Sequence, residues 1–194
     1  MPDQPPSDAT TEINLKDPVV AGILAWLVPG LGHLYQGRIG KGILLMVCIL
    51  GTFMTGLCFG SSRDVGWGRV VYVSFRPNDW RLPWLCQVGV GLPTFPVTVI
   101  QASLAKGESG PWWNGFMAPP DLESPEGKSG LKQPSPAKMS LGEINFHLKN
   151  FFELGTVYTM VAGLLNILAI YDACCGPVPA ISEKKPDGPD VGDK

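Results

Sequence analysis

The chain has 194 residues, of which 45% are hydrophobic and only 16% charged, and its formal net charge is −2. One domain is the natural reading at this length, and the shortage of charge sets the chain apart from most soluble domains. A near-neutral balance with no basic cluster excludes nucleic acid as a partner.

The charges crowd into the tails and two loops. Val19 to Gln36, Ile43 to Ser62, Trp84 to Ala105 and Leu154 to Tyr171 contain no Asp, Glu, Lys or Arg. Each run is close to the roughly 20 helical residues that cross a bilayer core. A soluble domain of this size has too little interior to bury four such helices all round. The expectation is an all-α integral membrane protein, a small bundle of about four transmembrane helices with a kinked first hairpin, one juxtamembrane amphipathic helix and disordered termini. The boundaries read as a tail over 1–17 and a membrane domain over 18–175, then a tail over 176–194. Within the domain, spans lie near 19–36, 43–62, 84–105 and 154–172, with a mobile linker over 106–138 and the amphipathic helix over 140–152.

The N-terminal tail is rich in Pro, Asp, Thr and Ser, and Lys16 is its only basic residue. The first apolar run continues into Pro29 and His33 instead of a small-residue cleavage site, so it reads as a retained segment and not a signal peptide. Pro18 suits a first helical turn, and Ala21 and Ala25 offer a close-contact face. The stretch from Pro29 to Gly42 is the elbow. Pro29 removes a backbone donor, while Gly30, Gly32 and Gly37 permit tight bends and close approach. A kink is expected at Pro29; an outright break there leaves a helix of about 11 residues followed by a short re-entrant piece through Gly32 and His33. His33 is a candidate functional residue as a titratable group at the apolar layer. Its bland reading is an interfacial histidine bonded to a carbonyl that Pro29 frees.

Span two carries Gly51 and Thr55, then Gly56 and Gly60, at small-xxx-small spacing. The loop after it holds Arg63, Arg69, Arg76 and Arg81 with Trp67 and Trp80, which together with Trp84 read as an interfacial belt. Val70 to Phe75 suit a short strand or hairpin. Span three contains Gly89, Gly91, Pro93 and Pro96, so it should be a kinked helix whose freed carbonyls need Gln87, Gln101 or a neighbouring helix. After the Pro- and Ser-rich linker, Ser140 and Glu143 have capping-box spacing, and Leu141, Ile144, Leu148, Phe151 and Phe152 recur with helical period. In span four, Gly155, Thr159, Gly163 and Asn166 form a stripe expected to face the bundle interior, with Gly163 against the Pro29–Gly32 elbow. Asp172, just past the apolar end, is the second candidate functional polar residue. With four crossings, the N-tail, the 61–83 loop and the C-tail share one side.

Ala25-Trp26-Leu27-Val28-Pro29-Gly30-Leu31-Gly32-His33-Leu34-Tyr35-Gln36-Gly37, then Lys41-Gly42 and an apolar helix, resembles the first half of the two-transmembrane-helix domain family. Leu165-Asn166-Ile167-Leu168-Ala169-Ile170-Tyr171-Asp172 is similar to the helix end that closes such domains. About a hundred residues separate the two pieces, so the chain resembles a divergent bacterial membrane family of unknown function related to that domain. The resemblance implies a small multi-pass protein without established enzymatic activity and supplies no catalytic residues.

Chemical motifs are sparse. Gly30-Leu31-Gly32 lacks the rest of a dinucleotide fingerprint, and Gly40-Lys41 lacks the earlier glycine and the hydroxyl residue of a phosphate loop. Gly107-Glu108-Ser109-Gly110 has the Gly-x-Ser-Gly pattern of intramembrane serine proteases, but sits at a membrane exit in a chain with too few spans. Two histidines and no Cys-x-x-Cys give no zinc ligand set, so no metal or cofactor is expected. The expected role is a non-enzymatic multi-pass module of the cell membrane, packing with itself or another membrane protein in the lipid bilayer. The alternative is a subunit of an oligomeric transporter or channel using the Pro-broken spans one and three.

Overall fold

A computed structural model of the protein describes residues 16–76, 79–99, 115–120 and 139–176. Residues 1–15 and 177–194 of the tails, most of the 106–138 linker and the Gly107–Gly110 motif lie outside the described residues.

Two helices dominate. α1 covers Pro18–Leu27, α2 Leu31–Tyr35 and α3 Ile39–Phe59. A two-residue hairpin, β1 (Phe75–Arg76) with β2 (Asp79–Trp80), precedes α4, Leu82–Gln87. Two 3₁₀ turns follow, Val88–Val90 and Leu92–Thr94, and residues 96–99 are helical. α5 is Leu141–Leu148 and α6 is Asn150–Cys175. With 21 and 26 residues, α3 and α6 run on the order of 31 and 39 Å, and both are long and apolar enough to cross a membrane.

Of the four expected spans, two form continuous helices among the described residues, and the 84–105 run is described only to residue 99. The first uncharged run breaks after ten residues, where Val28 turns extended and Gly30 takes a left-handed φ of +84° that a side chain would strain. The third breaks at Gly91, φ +85°, between the two 3₁₀ turns. Each uncharged run reads as one crossing by length, yet its prolines interrupt the helix within the described residues.

α3 and α6 are antiparallel. Gly56 of α3 faces the Gly155 carbonyl and Thr159, and Gly155 faces the Gly56 carbonyl and the Gly60 amide, so the two backbones touch where neither side has a Cβ. The main core gathers Ile49, Phe53 and Leu57 of α3, Phe152, Ala162 and Ala169 of α6, and Val65, Val70, Val71 and Tyr72 of the loop between.

α1 lies along the C-terminal half of α6, where Gly22 faces Cys174 and Ile170. α2 folds back on α1, with Gly32 against the Ala21 carbonyl and Ala25, and Lys16 stacks over Tyr35 at 5.1 Å. The start of α1 and the end of α2 therefore share the end of the bundle that holds Asp172 and Lys41. α4 approaches from the opposite end, and Gly163 faces the backbone of Cys86 and Gln87. This corrects the expected neighbour of Gly163, because the elbow instead packs Gly30 on Gly42 of α3. The side assignment changes too. The 61–74 loop lies at the opposite end from residue 16 and Asp172, since α2 brings the chain back to the end of the bundle where α1 starts.

Three smaller expectations are also revised. Trp84 is buried in the core while Trp67 is 56% exposed, so these two indoles do not share one belt, and the Trp80 side chain lies outside the described residues. The strand pairing starts only at Phe75; Val70 lies in a turn, and Val71 to Ser74 are irregular backbone that is buried except for half-buried Val73. Within the linker, Met117 donates its amide to the Trp67 carbonyl at 2.8 Å, and Met117 and Ala118 are buried. The capping box at α5 is formed, with Glu143 Oε2 accepting from the Ser140 amide at 2.8 Å and the Ser140 hydroxyl accepting from the Glu143 amide at 3.3 Å. Lys149, φ +50°, separates α5 from α6.

Candidate functional site

The two half-helices meet at one side chain. In an unbroken helix the carbonyl of residue 25 would accept from the amide of residue 29, and that of residue 89 from residue 93; both donors are prolines with no N–H. Asn166, fully buried on α6, replaces both. Its Nδ2 donates to the Ala25 carbonyl at 3.1 Å and to the Gly89 carbonyl at 2.8 Å, one for each of its two hydrogens. Trp26 Nε1 donates to the Val88 carbonyl at 3.3 Å, and its ring meets Phe95 edge to face at 5.9 Å. Gln87, also buried, donates Nε2 to the Val70 carbonyl at 3.2 Å and to Thr159 Oγ1 at 2.8 Å. The polar atoms at this junction serve backbone that the prolines and turns leave without its usual partner.

The second polar centre brings His33 and Asp172 together across 139 positions. His33 is fully buried on α2, and its Nε2 lies 2.6 Å from Asp172 Oδ2. The same oxygen receives Lys41 Nζ at 2.6 Å and Arg38 Nη2 at 3.4 Å. A carboxylate held by two permanent cations is an acceptor, so the histidine proton sits on Nε2 and the bond is N–H to oxygen. Gln36 Nε2 donates to the Ala173 carbonyl at 2.5 Å beside it. The turn from Gly37 into α3 thus grips the end of α6. His33 does not serve a carbonyl freed by Pro29; that partner is Asn166. His33 Nδ1 is buried without a partner.

The remaining singled-out residues fall in separate places. Pro29, Gly30 and Gly32 line the elbow, Gly37 has open space around it, and Gly155, Thr159 and Gly163 are buried along α6. Arg38 and Lys41 are the site residues that sequence reasoning missed. Arg38 directly precedes α3 and Lys41 lies in its first turn, an ordinary flanking-charge pattern, so only the tertiary placement of Asp172 distinguishes them. Among the described residues, no three His, Cys, Asp or Glu side chains converge as metal ligands.

A family model described as a family of unknown function, DUF6677, matches residues 20–186. The chain belongs to DUF6677. The match runs from within α1 through α6, both polar centres included, and nothing in it links DUF6677 to the two-transmembrane-helix domain family. No curated protein and no solved structure matches the chain.

For this DUF6677 protein the Asp172 cluster should act as a clamp between chain ends. Asp172→Ala is expected to cost about 1–3 kcal/mol, because it leaves the buried His33 N–H without an acceptor. Lys41→Ala removes a side chain that is 43% exposed and should cost under about 1 kcal/mol. Denaturant titration of both variants in mild detergent checks the order; an equal or larger loss for Lys41→Ala overturns it.

Proposed function

We propose that this protein is a non-enzymatic, integral, multi-pass membrane module that packs against a second copy of itself, or another membrane protein, through the bare face of α3. One contrast carries the reading. The small residues Gly56, Gly155 and Gly163 all meet neighbouring backbone, whereas Gly51, at small-xxx-small spacing from the exposed Thr55, has nothing within 4 Å of its missing side chain. Membrane residence is supported by the exposed apolar side chains on the long helices, such as Val47 at 66%, Leu44 at 62% and Leu168 at 65%. A core helix of a soluble protein would bury that surface.

Gly51→Ile should convert a detergent-solubilised dimer to monomer, read by light scattering, without lowering the melting temperature of the monomer fold. A monomeric wild type, or a variant with unchanged mass, would sink the α3 interface. Alkaline carbonate should leave the protein in the membrane pellet.

A second reading, a subunit of an oligomeric transporter or channel, is favoured by the two proline-broken segments that meet at Asn166. Ion or solute flux in proteoliposomes that Asn166 substitutions abolish would select it over the packing module.

A further inference from the structure

The loop that follows α3 is pinned at its middle and open at its sides. Ser62 and Gly66 exchange two backbone hydrogen bonds, at 3.1 and 2.9 Å, and Val65 between them is fully buried in the core. Ser61 fixes the base of the loop: its hydroxyl donates to the Leu57 carbonyl and accepts from the Gly68 amide at 2.8 Å. With those positions held, Arg63 and Trp67 stay on the outside, both exposed. Together with Cys58, Ser61 and Ser62 they line a cleft of about 360 Å³, within the roughly 300–1,000 Å³ of clefts that hold small ligands.

The lining has a donor side and an apolar side. Arg63 makes no ion pair among the described residues, and its neighbour Asp64 does not line the cleft. Ser62 Oγ accepts from the Asp64 amide at 3.4 Å, which leaves the hydroxyl hydrogen to donate. A guanidinium and a hydroxyl donor at one open cleft match the oxygens of a phosphate.

The place of the cleft in the fold selects the source of that phosphate. No charge occurs between Lys41 and Arg63. Along that length Val47, Met54 and Cys58 recur on one face of α3 at spacings of seven and four, and all three are exposed. Cys58 lines the cleft itself, so the apolar surface of the helix runs directly into it. At the same end of the bundle, Phe59 stacks on Phe151 at 5.8 Å and meets Tyr158 edge to face at 5.4 Å. Exposed Trp67 and Tyr158 are residue types that gather where hydrocarbon gives way to headgroups. A free anion would use only the donor side, whereas a phospholipid fits both.

We propose that this cleft binds the phosphate headgroup of a phospholipid. Arg63 and Ser62 hold the phosphate, Trp67 packs on the glycerol, and the acyl chains pass Cys58 and Met54. The site rests on the membrane residence proposed above.

Native mass spectrometry of the full chain, delipidated in non-ionic detergent, counts bound lipid as phosphatidylglycerol or diacylglycerol of the same acyl chains is titrated. Wild type should take up one phosphatidylglycerol saturably, at least about tenfold tighter than diacylglycerol. Arg63→Gln should weaken that binding about tenfold, the loss expected for one charge-assisted hydrogen bond, and Arg63→Lys, which keeps the charge, less than about threefold. Ser62→Ala should weaken it about threefold and gives a second reading should the Arg63 variants fail to fold. Lys149→Gln removes an exposed cation at the same end of the bundle but outside the cleft, and should change nothing. Equal binding of diacylglycerol, or equal weakening by Lys149→Gln and the cleft variants, overturns the proposal. So does displacement of the lipid by inorganic phosphate at matched ionic strength, in favour of a free-anion site. Release by alkaline carbonate overturns membrane residence itself, whereas retention in the pellet with no saturable lipid overturns this site alone.

Discussion

Asn166→Leu should lower the unfolding free energy by about 2–5 kcal/mol, measured by denaturant titration in mild detergent. The substitution nearly conserves volume, so packing contributes little and the loss comes from two buried carbonyls, Ala25 and Gly89, left without a donor at about 1–3 kcal/mol each. Asn166→Asp should be worse, because a carboxylate oxygen would replace Nδ2 and face two carbonyl oxygens. The control restores the missing donors: Pro29→Ala in the Asn166→Leu background returns an amide at position 29. If that amide reaches the Ala25 carbonyl, the double mutant should lose less than the sum of the two single changes. A loss under about 0.5 kcal/mol for Asn166→Leu would show that the carbonyls find other partners.

Gly163→Ala is the second large effect. An alanine Cβ here would fall inside contact distance of the Cys86 carbonyl, which is main chain and cannot swing aside as a side-chain tip would. Helix propensity favours alanine by about 1 kcal/mol, and overpacking against fixed backbone opposes it by more, for a net loss of about 2–4 kcal/mol. Gly51→Ala provides the contrast, since nothing lies within 4 Å and propensity alone predicts a gain of up to about 1 kcal/mol. Equal responses at the two positions would mean that α4 does not rest on α6 at Gly163.

Much of the junction was legible as arithmetic and little of it as geometry. Pro29 and Pro93 each free the carbonyl four residues back, and a buried asparagine on an apolar helix must donate to something. That one Asn166 serves both carbonyls requires α1 and α4 to approach from opposite ends, which no local pattern encodes. His33 and Asp172 stood out singly for the same reason, as polar groups at apolar boundaries, and their pairing is purely tertiary. The uncharged runs mark apolar stretches but not continuous helices, because the prolines inside two of them set a shorter helical length. Arg69 was grouped with three other loop arginines, since a sequence shows charge but not burial.

The Asn166–Ala25 bond spans 141 positions, which sets an order of events during synthesis. At about 5–20 residues per second, Asn166 is made roughly 7–28 s after the carbonyl it serves. For that interval the first apolar element of the chain has no donor for its broken end and is too short to span lipid unaided. It therefore leaves the ribosome long before its donor does, and a nascent chain stalled before residue 166 should expose residues 18–35 to chaperones and proteases that the finished protein excludes.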